Sequence, residues 1–276
     1  MHASRYNRAM TEQATTAAAP RRDPMRPLRY LYRAPLLLLL AVIAFPLALF
    51  VFSPLARGMT VKGERLAHWM QRWWSGRLVR CFGFRIHRVG QPLPGAVMFV
   101  ANHVSWLDIE LMHSQRVMAF VAKEEISRWP LVGWLATRAG TIYHRRGSTH
   151  SLGAVQEQMV DRLRSGMAVG IFPEGGTGPG DRVRTFHARI FQAAVETNVP
   201  VQPVGLCYGH GSTMDLSVPF APKENFLSNF LRLLGGSSMD ATVYFLEPVP
   251  LSEEGRRHTA EAARQRIAAA LQLVAE

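Results

Sequence analysis

The segment AVMFVANHVSWLDIE, residues 96–110, contains the pattern from which the fold can be predicted. It opens with an uninterrupted apolar run at 96–101, which is typical of a strand buried on both faces of a sheet. Four polar side chains follow where that strand would end: Asn102, His103, Ser105 and Asp108. A helical pattern begins among them, and a buried strand that leads into a helix is the repeating unit of α/β proteins.

The same alternation continues along the rest of the chain. Strand-like apolar runs lie at 96–101, 117–122, 140–144, 167–172, 199–208 and 241–249. Helical patterns lie at 105–112, 152–163, 186–197 and from 259 to the C-terminus. The predicted fold class is therefore α/β, with a mainly parallel sheet flanked by helices over residues 83–276. Active sites of such sheets gather where strands end and loops lead into helices.

The N-terminal part of the chain has a different composition. Residues 1–33 are rich in Ala, Thr, Arg and Pro and are expected to form a disordered basic arm. No charge occurs between Arg33 and Arg57, and a helix of about 22 residues would be long enough to cross the hydrocarbon core. With the tryptophan-rich helix that follows, residues 34–82 are predicted to anchor the protein to a membrane. Pro35, Pro46 and Pro54 interrupt the apolar run, so both a single crossing and a re-entrant insertion remain open.

Charge and cysteine content narrow the classes of partner. The 276-residue chain has a formal charge of +12, from 32 basic and 20 acidic residues. That balance suits anionic partners, and with the apolar segment it indicates a phospholipid bilayer and not nucleic acid. The two cysteines, Cys81 and Cys207, fall in apolar patterns without metal-ligand spacing and are expected to be core residues.

His103 is a candidate general base, because imidazole titrates near neutral pH. Asp108 lies five residues further on and could bind the second ring nitrogen, as carboxylates do in catalytic triads. A structural alternative stays open, because Ser105 to Asp108 also spells the S-x-x-D pattern of a helix capping box.

A second strand-end segment, MAVGIFPEGGTGPG, spans residues 167–180. There an apolar run ends at Pro173 and Glu174, and Gly175 and Gly176 follow. Consecutive glycines permit a tight turn whose backbone N–H groups can converge on an anion. Taken alone, the segment also fits an ordinary turn.

Together these segments resemble sequence boxes of the 1-acylglycerol-3-phosphate acyltransferases, the PlsC-type lysophospholipid acyltransferases. NHVSWLD resembles their N-H-x-x-x-x-D box, and FPEGGT resembles their F-P-E-G-T-R box. GTIYHRR at 140–146 and VPVQPV at 199–204 match two further boxes in the same order. A family-like stretch that contains Lys123, Glu124, Pro130 and Gly133 precedes the first of these two. The resemblance covers about residues 60–250.

The resemblance implies an O-acyltransferase that needs neither a metal nor another cofactor. His103 would deprotonate the hydroxyl of a lysolipid, Asp108 would hold His103, and the hydroxyl would attack the thioester of acyl-CoA or acyl-carrier protein. The implied acceptor is 1-acyl-sn-glycerol-3-phosphate, and the product is phosphatidic acid. The implied location is the inner membrane, with the catalytic domain facing the cytoplasm. The residues that would bind and shape the acceptor site are Arg146, Glu174, Gly175, Gly176 and Thr177.

One departure from the family pattern concerns the acceptor. Gly176 and Thr177 stand where the family box has Thr and Arg, so a bidentate phosphate ligand is missing. An acceptor without a phosphate monoester, such as lyso-ornithine lipid, is therefore the alternative, unless Arg145, Arg182 or Arg184 supplies the charge. A lipid-binding scaffold without catalysis is the alternative from another class. Serine hydrolase and zincin motifs, G-x-S-x-G and H-E-x-x-H, do not occur.

Overall fold

The computed structural model describes residues 23–144, 149–210, 213–251 and 255–275. Within them residues 84–245 contribute one seven-stranded sheet. Its strands in chain order are β1 (Phe84–Val89), β2 (Met98–Ala101), β3 (Ala119–Lys123), β4 (Ile142–His144), β5 (Val169–Ile171), β6 (Val201–Gly209) and β7 (Met239–Phe245). The helices are α1 (Arg26–Val51), α2 (Leu66–Cys81), α3 (Leu107–Gln115), α4 (Val132–Arg138), α5 (Thr149–Arg164), α6 (Gln192–Thr197), α7 (Phe226–Leu234) and α8 (Arg256–Leu271).

The sheet confirms the predicted fold class. Its strand order is β1-β7-β6-β2-β5-β3-β4. Five of the six neighbouring pairs are parallel, and β6 with β7 is the antiparallel pair. All six predicted apolar runs form strands, whose ends differ from the predicted ones by at most four residues. Strand β1 has no continuous apolar pattern in the sequence. It lies at the edge of the sheet, where most side chains of FRIHRV are exposed.

The helices cover both faces of the sheet. Side chains of α1, α2, α3 and α7 pack into the hydrophobic core on one face, which includes Leu40, Leu78, Leu107 and Leu233. Side chains of α5, α6 and α8 form the core on the other face, which includes Met159, Ala194 and Ile267. The sheet is therefore buried on both sides, as its continuous apolar strands require.

Helix α1 corrects two expectations for the N-terminal region. It begins at Arg26, so residues 26–33 are helical and the predicted disordered arm cannot extend to Arg33. Residues 1–22 lie outside the described residues. Pro35 and Pro46 lie inside one continuous helix and do not break it. Among the residues that the structure describes, α1 is the one helix long and apolar enough to cross a membrane by length and composition.

Contacts with the domain run along the length of α1. Its buried positions, Leu40, Ala44, Ala48 and Val51, recur every three or four residues and form one face. At its start, the buried Arg33 guanidinium donates to the carbonyl oxygens of Leu234 and Gly236 at 2.9 and 2.8 Å. Arg33 thereby satisfies carbonyl groups at the C-terminal end of α7, where a cation is favoured.

Several helix boundaries also differ from the sequence patterns. The helix expected from residue 105 begins at Leu107. The one expected from residue 186 starts with the 3₁₀ turn Ala188–Phe191 before α6. The last helix starts at Arg256 and ends at Leu271, after which Val274–Ala275 pairs with Arg182–Val183.

Candidate active site

The two polar segments lie side by side because their strands are neighbours. β2 pairs with β5 on one side and with β6 on the other, and all three run in the same direction. Their carboxyl ends therefore meet at one edge of the sheet. His103 follows β2, and Glu174 follows β5.

His103 and Asp108 form a hydrogen-bonded pair. The distance between Nδ1 of His103 and Oδ2 of Asp108 is 2.8 Å, and the carboxylate is fully buried. With the proton on Nδ1, the imidazole donates to the carboxylate and keeps a lone pair on Nε2. The ring stacks on Phe172 at 4.0 Å between centroids, and the side chain is 15% exposed. The arrangement suits a general base that a small molecule can reach.

The Asp108 carboxylate also organises the turn before α3. Its Oδ2 accepts from the backbone N–H groups of Val104 and Ser105 at 2.7 and 2.9 Å. The hydroxyl of Ser105 accepts from Leu107 N–H at 3.3 Å. The Asp108 carboxylate thus binds the turn and the His103 ring at the same time. These bonds hold residues 104 and 105 outside the helix, which is why α3 begins only at Leu107.

Tyr208 is a site residue that the sequence patterns do not identify. Its hydroxyl donates to Oδ1 of Asp108 at 2.7 Å, and the side chain is fully buried near the end of β6. Burial, and then the neighbouring Asp108 charge, raise the pKa of Tyr208 well above its ordinary value. The phenol therefore remains a donor across the physiological range. The available signal is a tyrosine at the end of the strand-like run at 199–208, the end at which site residues gather.

Asn102 joins β2 to β6 beside this pair. Its amide donates to the Leu206 carbonyl oxygen at 3.0 Å and accepts from Leu206 N–H at 2.8 Å. The two bonds fix the end of β2, from which His103 projects.

Glu174 connects the two polar segments. Its Oε1 accepts from the backbone N–H of His103 at 3.1 Å, and its Oε2 accepts from Nε of Arg184 at 2.9 Å. The backbone N–H of Gly178 donates to the His103 carbonyl oxygen at 2.6 Å. Burial raises the pKa of Glu174, and the hydrogen bond from Arg184 offsets part of that rise. Both Glu174 oxygens are therefore used in holding the His103 backbone and Arg184.

The glycine-rich turn places Arg184 at the site. Gly175 has φ of 75°, and an added Cβ would lie 3.1 Å from Nε2 of His187, so both space and conformation favour glycine. Arg184 donates from Nη2 to the Gly176 carbonyl oxygen and is partly exposed beside the half-buried Thr177. Of the two described candidates for the missing charge, Arg182 and Arg184, it is Arg184 that contacts this turn. Arg182 pairs with Asp181 on the surface.

Two arginines expected near the acceptor, Arg145 and Arg146, lie outside the described residues. Among the described residues, no group of three or more His, Cys, Asp or Glu side chains is placed to hold a metal ion. Cys81 and Cys207 are both buried, and burial raises the pKa of each thiol. Neither thiol is part of the arrangement around His103.

The chain is similar in sequence to known acyltransferases. The family model described as acyltransferase matches residues 85–207. The lyso-ornithine lipid O-acyltransferase of Pseudomonas aeruginosa is 38% identical over 202 residues, which cover 73% of this chain and 78% of that protein. The 1-acyl-sn-glycerol-3-phosphate acyltransferase of Neisseria gonorrhoeae is 35% identical over 126 residues, which cover 46% and 49%.

The fold also has a solved counterpart. The crystal structure of the 1-acyl-sn-glycerophosphate acyltransferase PlsC from Thermotoga maritima superposes with a TM-score of 0.63. The match covers 89% of this chain and 97% of that chain, at 23% sequence identity. At that identity the likeness concerns the fold.

Proposed function

Because the chain belongs to the PlsC-type acyltransferase family, we propose that it transfers a fatty acyl group from a thioester donor to the hydroxyl of lyso-ornithine lipid. The observation that carries the reaction is the pair formed by His103 and the buried Asp108, 2.8 Å apart at the meeting edge of three parallel strands. The proposed donor is acyl-CoA or acyl-carrier protein.

In the proposed mechanism the acceptor hydroxyl donates a hydrogen bond to Nε2 of His103. As its oxygen attacks the thioester carbonyl carbon, the hydroxyl proton moves to Nε2. Asp108 stabilises the imidazolium that forms. The tetrahedral intermediate collapses, the C–S bond breaks, and the proton passes from His103 to the leaving thiolate. General-base assistance of this kind contributes about 10²–10⁴-fold to the rate.

Tyr208 and Glu174 are positioning residues in this mechanism. Tyr208 donates to the Asp108 oxygen that His103 does not use. Glu174 binds the backbone N–H of His103 and orients Arg184. The turn at Gly175, Gly176 and Thr177 is proposed to border the acceptor headgroup.

Two observations support lyso-ornithine lipid as the acceptor. Thr177 stands where the family box has arginine, which removes a cationic fork suited to a phosphate monoester. Glu174 already compensates the charge of Arg184. The Arg184 guanidinium is then suited to bind the single carboxylate of an amino-acid headgroup. The second candidate acceptor is 1-acyl-sn-glycerol-3-phosphate, on which the similar Neisseria gonorrhoeae protein is named to act.

Membrane attachment is proposed to occur through residues 34–82 at the inner membrane, with the catalytic domain in the cytoplasm where both donors are made. Helix α1 is packed on the domain near its start by Arg33 and near its end by Val51. A helix held along the domain in this way favours shallow insertion into one leaflet over a full crossing.

The test is an acyl-transfer assay with the purified full chain. Lyso-ornithine lipid and 1-acyl-sn-glycerol-3-phosphate are each offered with acyl-CoA and with acyl-carrier protein, and kcat/KM is compared. The His103→Ala variant is the blank. A higher kcat/KM with lyso-ornithine lipid is expected, whereas a clear preference for the phosphate acceptor would overturn the acceptor assignment. Failure of every lysolipid to accept an acyl group would overturn the proposed function.

A further inference from the structure

The loop after β6 folds back onto the end of its own strand. The backbone N–H of Asp215 donates to the Tyr208 carbonyl oxygen at 2.6 Å. Gly209 has φ of 144°, and an added Cβ would collide with the Thr213 carbonyl oxygen, so the return of the chain requires glycine. Tyr208 is the residue whose hydroxyl binds Asp108. The backbone of Asp215 is therefore attached to a strand end that belongs to the candidate active site.

The same loop borders the glycine-rich turn after β5. A Cβ added at Gly180 would lie 3.1 Å from Cγ of Pro219 and 3.6 Å from Cδ2 of Leu216. Two residues earlier in that turn, a Cβ added at Gly178 would lie 3.3 Å from Nε of Arg184. Two residues span at most about 7 Å of backbone. The loop and the Arg184 guanidinium therefore flank one short stretch of the glycine-rich turn.

The loop is fixed by contacts with the rest of the domain. Val218 is fully buried in the hydrophobic core, and the next residue, Pro219, is also buried. Arg232 of α7 donates to the carbonyl oxygens of Ser217 and Pro219. Packing and hydrogen bonds therefore hold the segment around Asp215 in place without a ligand.

The Asp215 side chain is half-buried and carries a charge that its local contacts do not explain. Its Oδ1 accepts from the backbone N–H of Ser217 at 2.8 Å, which is the bond of an Asx turn. Among the described residues, no donor or cation binds its Oδ2. Asparagine would form the same turn with its side-chain oxygen, so the turn alone does not call for a carboxylate.

The neighbouring carboxylates each have a cationic partner. Within the described residues of the loops after β5 and β6, the other carboxylates form these ion pairs: Glu174 with Arg184, Asp181 with Arg182, and Glu224 with Arg232. A carboxylate that is partly withdrawn from water attracts a cation more strongly than one in bulk water does. In the described part of these two loops, Asp215 is thus the one carboxylate left for the cationic group of a ligand.

The proposed acceptor carries such a cationic group. An ornithine headgroup that is acylated on its α-nitrogen keeps an α-carboxylate and a side-chain ammonium, joined by a short methylene chain. We propose that Asp215 binds the side-chain ammonium of lyso-ornithine lipid while Arg184 binds its carboxylate. This role of Asp215 rests on the proposed function and deepens it, because it names a residue that distinguishes a zwitterionic headgroup from an anionic one. A phosphate monoester has no ammonium for Asp215 to bind, and the carboxylate repels its charge.

The test compares two acceptors with the purified full chain. One is lyso-ornithine lipid, and the other is the same lipid with its side-chain amine acetylated, which removes the ammonium and keeps the carboxylate. For the unmodified protein, kcat/KM should be about ten- to a hundredfold higher with the free amine, the value of one charge-assisted hydrogen bond. Asp215→Asn keeps the turn and removes the charge, so this variant should lose most of that preference.

Asp181→Asn is the matched control, because Asp181 is an exposed carboxylate close to the same glycine-rich turn and is already paired with Arg182. This variant should keep the preference of the unmodified protein. With 1-acyl-sn-glycerol-3-phosphate as a further acceptor, kcat/KM should not fall in Asp215→Asn, because that headgroup has no ammonium. The thermal unfolding midpoint shows whether both variants are folded.

The outcomes separate this role from the proposed function. If the unmodified protein acylates lyso-ornithine lipid and its acetylated form equally well, a result that needs no variant, the role of Asp215 is overturned and the proposed acceptor stands. The same conclusion follows if a folded Asp215→Asn keeps the preference for the free amine, or loses activity equally with every acceptor. If the unmodified protein does not acylate lyso-ornithine lipid at all, the proposed acceptor and the role of Asp215 both fail.

Discussion

The two turns that meet at the active site are built differently. In the turn after β2, the Asp108 carboxylate is inaccessible to solvent and accepts from four donors, namely His103, Val104, Ser105 and Tyr208. In the turn after β5, Gly175 is exposed, and Gly176 and Thr177 are half-buried. The turn after β2, called here the rigid turn, holds the proposed base, and the turn after β5, called the open turn, is proposed to border the acceptor. Chemistry common to a family is therefore expected to depend on the first turn, and choice of acceptor on the second.

The largest effect is expected from His103→Ala. Loss of the general base should lower kcat by about 10²–10⁴-fold, with folding and vesicle binding unchanged. Circular dichroism and vesicle sedimentation monitor those two properties. The matched control is His210→Ala, because His210 is exposed and its ring faces Asp240 on β7. If His103→Ala keeps normal turnover, the rigid turn does not carry the chemistry.

Asp108→Asn should lower kcat nearly as far as His103→Ala. The amide cannot stabilise the imidazolium, and its NH₂ group cannot accept the bonds that Oδ2 now accepts. Thermal stability should fall as well, because the backbone N–H groups of Val104 and Ser105 lose part of their partner. A variant with lower stability and normal turnover would mean that Asp108 serves only the turn.

Thr177→Arg tests the open turn. A charged fork at this position should raise kcat/KM for 1-acyl-sn-glycerol-3-phosphate relative to lyso-ornithine lipid by roughly ten- to a hundredfold, the value of one charge-assisted hydrogen bond. Thr177→Gln supplies length without charge and should leave the ratio near that of the unmodified protein. An unchanged ratio in Thr177→Arg would mean that another residue reads the headgroup.

Tyr208→Phe removes one of four donors to Asp108 and should lower kcat by roughly tenfold. KM for the donor and for the acceptor should stay unchanged, because Tyr208 touches neither substrate in the proposed mechanism. Tyr244→Phe is the control, since Tyr244 lies on β7 outside the Asp108 contacts. A change in KM with constant kcat would contradict a positioning role.

The smallest effect is expected from Cys81→Ala and Cys207→Ala. Each removes a buried side chain, so a modest loss of thermal stability should follow without a change in kcat. Loss of activity in a folded variant would indicate a thiolate intermediate and contradict direct transfer.

Much of the fold could be predicted because its signals are local. The six apolar runs became strands, since strands buried on both faces must be apolar at every position. Strand β1 lacked that signal, because an edge strand with one partner exposes most of its side chains. Local rules also fail for α1, because they predict that a helix breaks at proline. Helix α1 instead continues through Pro35 and Pro46.

The sequence by itself determined the α/β class, the apolar N-terminal segment and the two polar segments at strand ends, with His103 and Asp108 in the first. These follow from residue type and spacing within one element and its loop. The tertiary structure alone decided that Tyr208 completes the Asp108 contacts, that Glu174 holds His103, and that Arg184 reaches the open turn. The physical reason is that strand order and helix packing bring together residues far apart in the chain, and spacing along the sequence carries no record of that order.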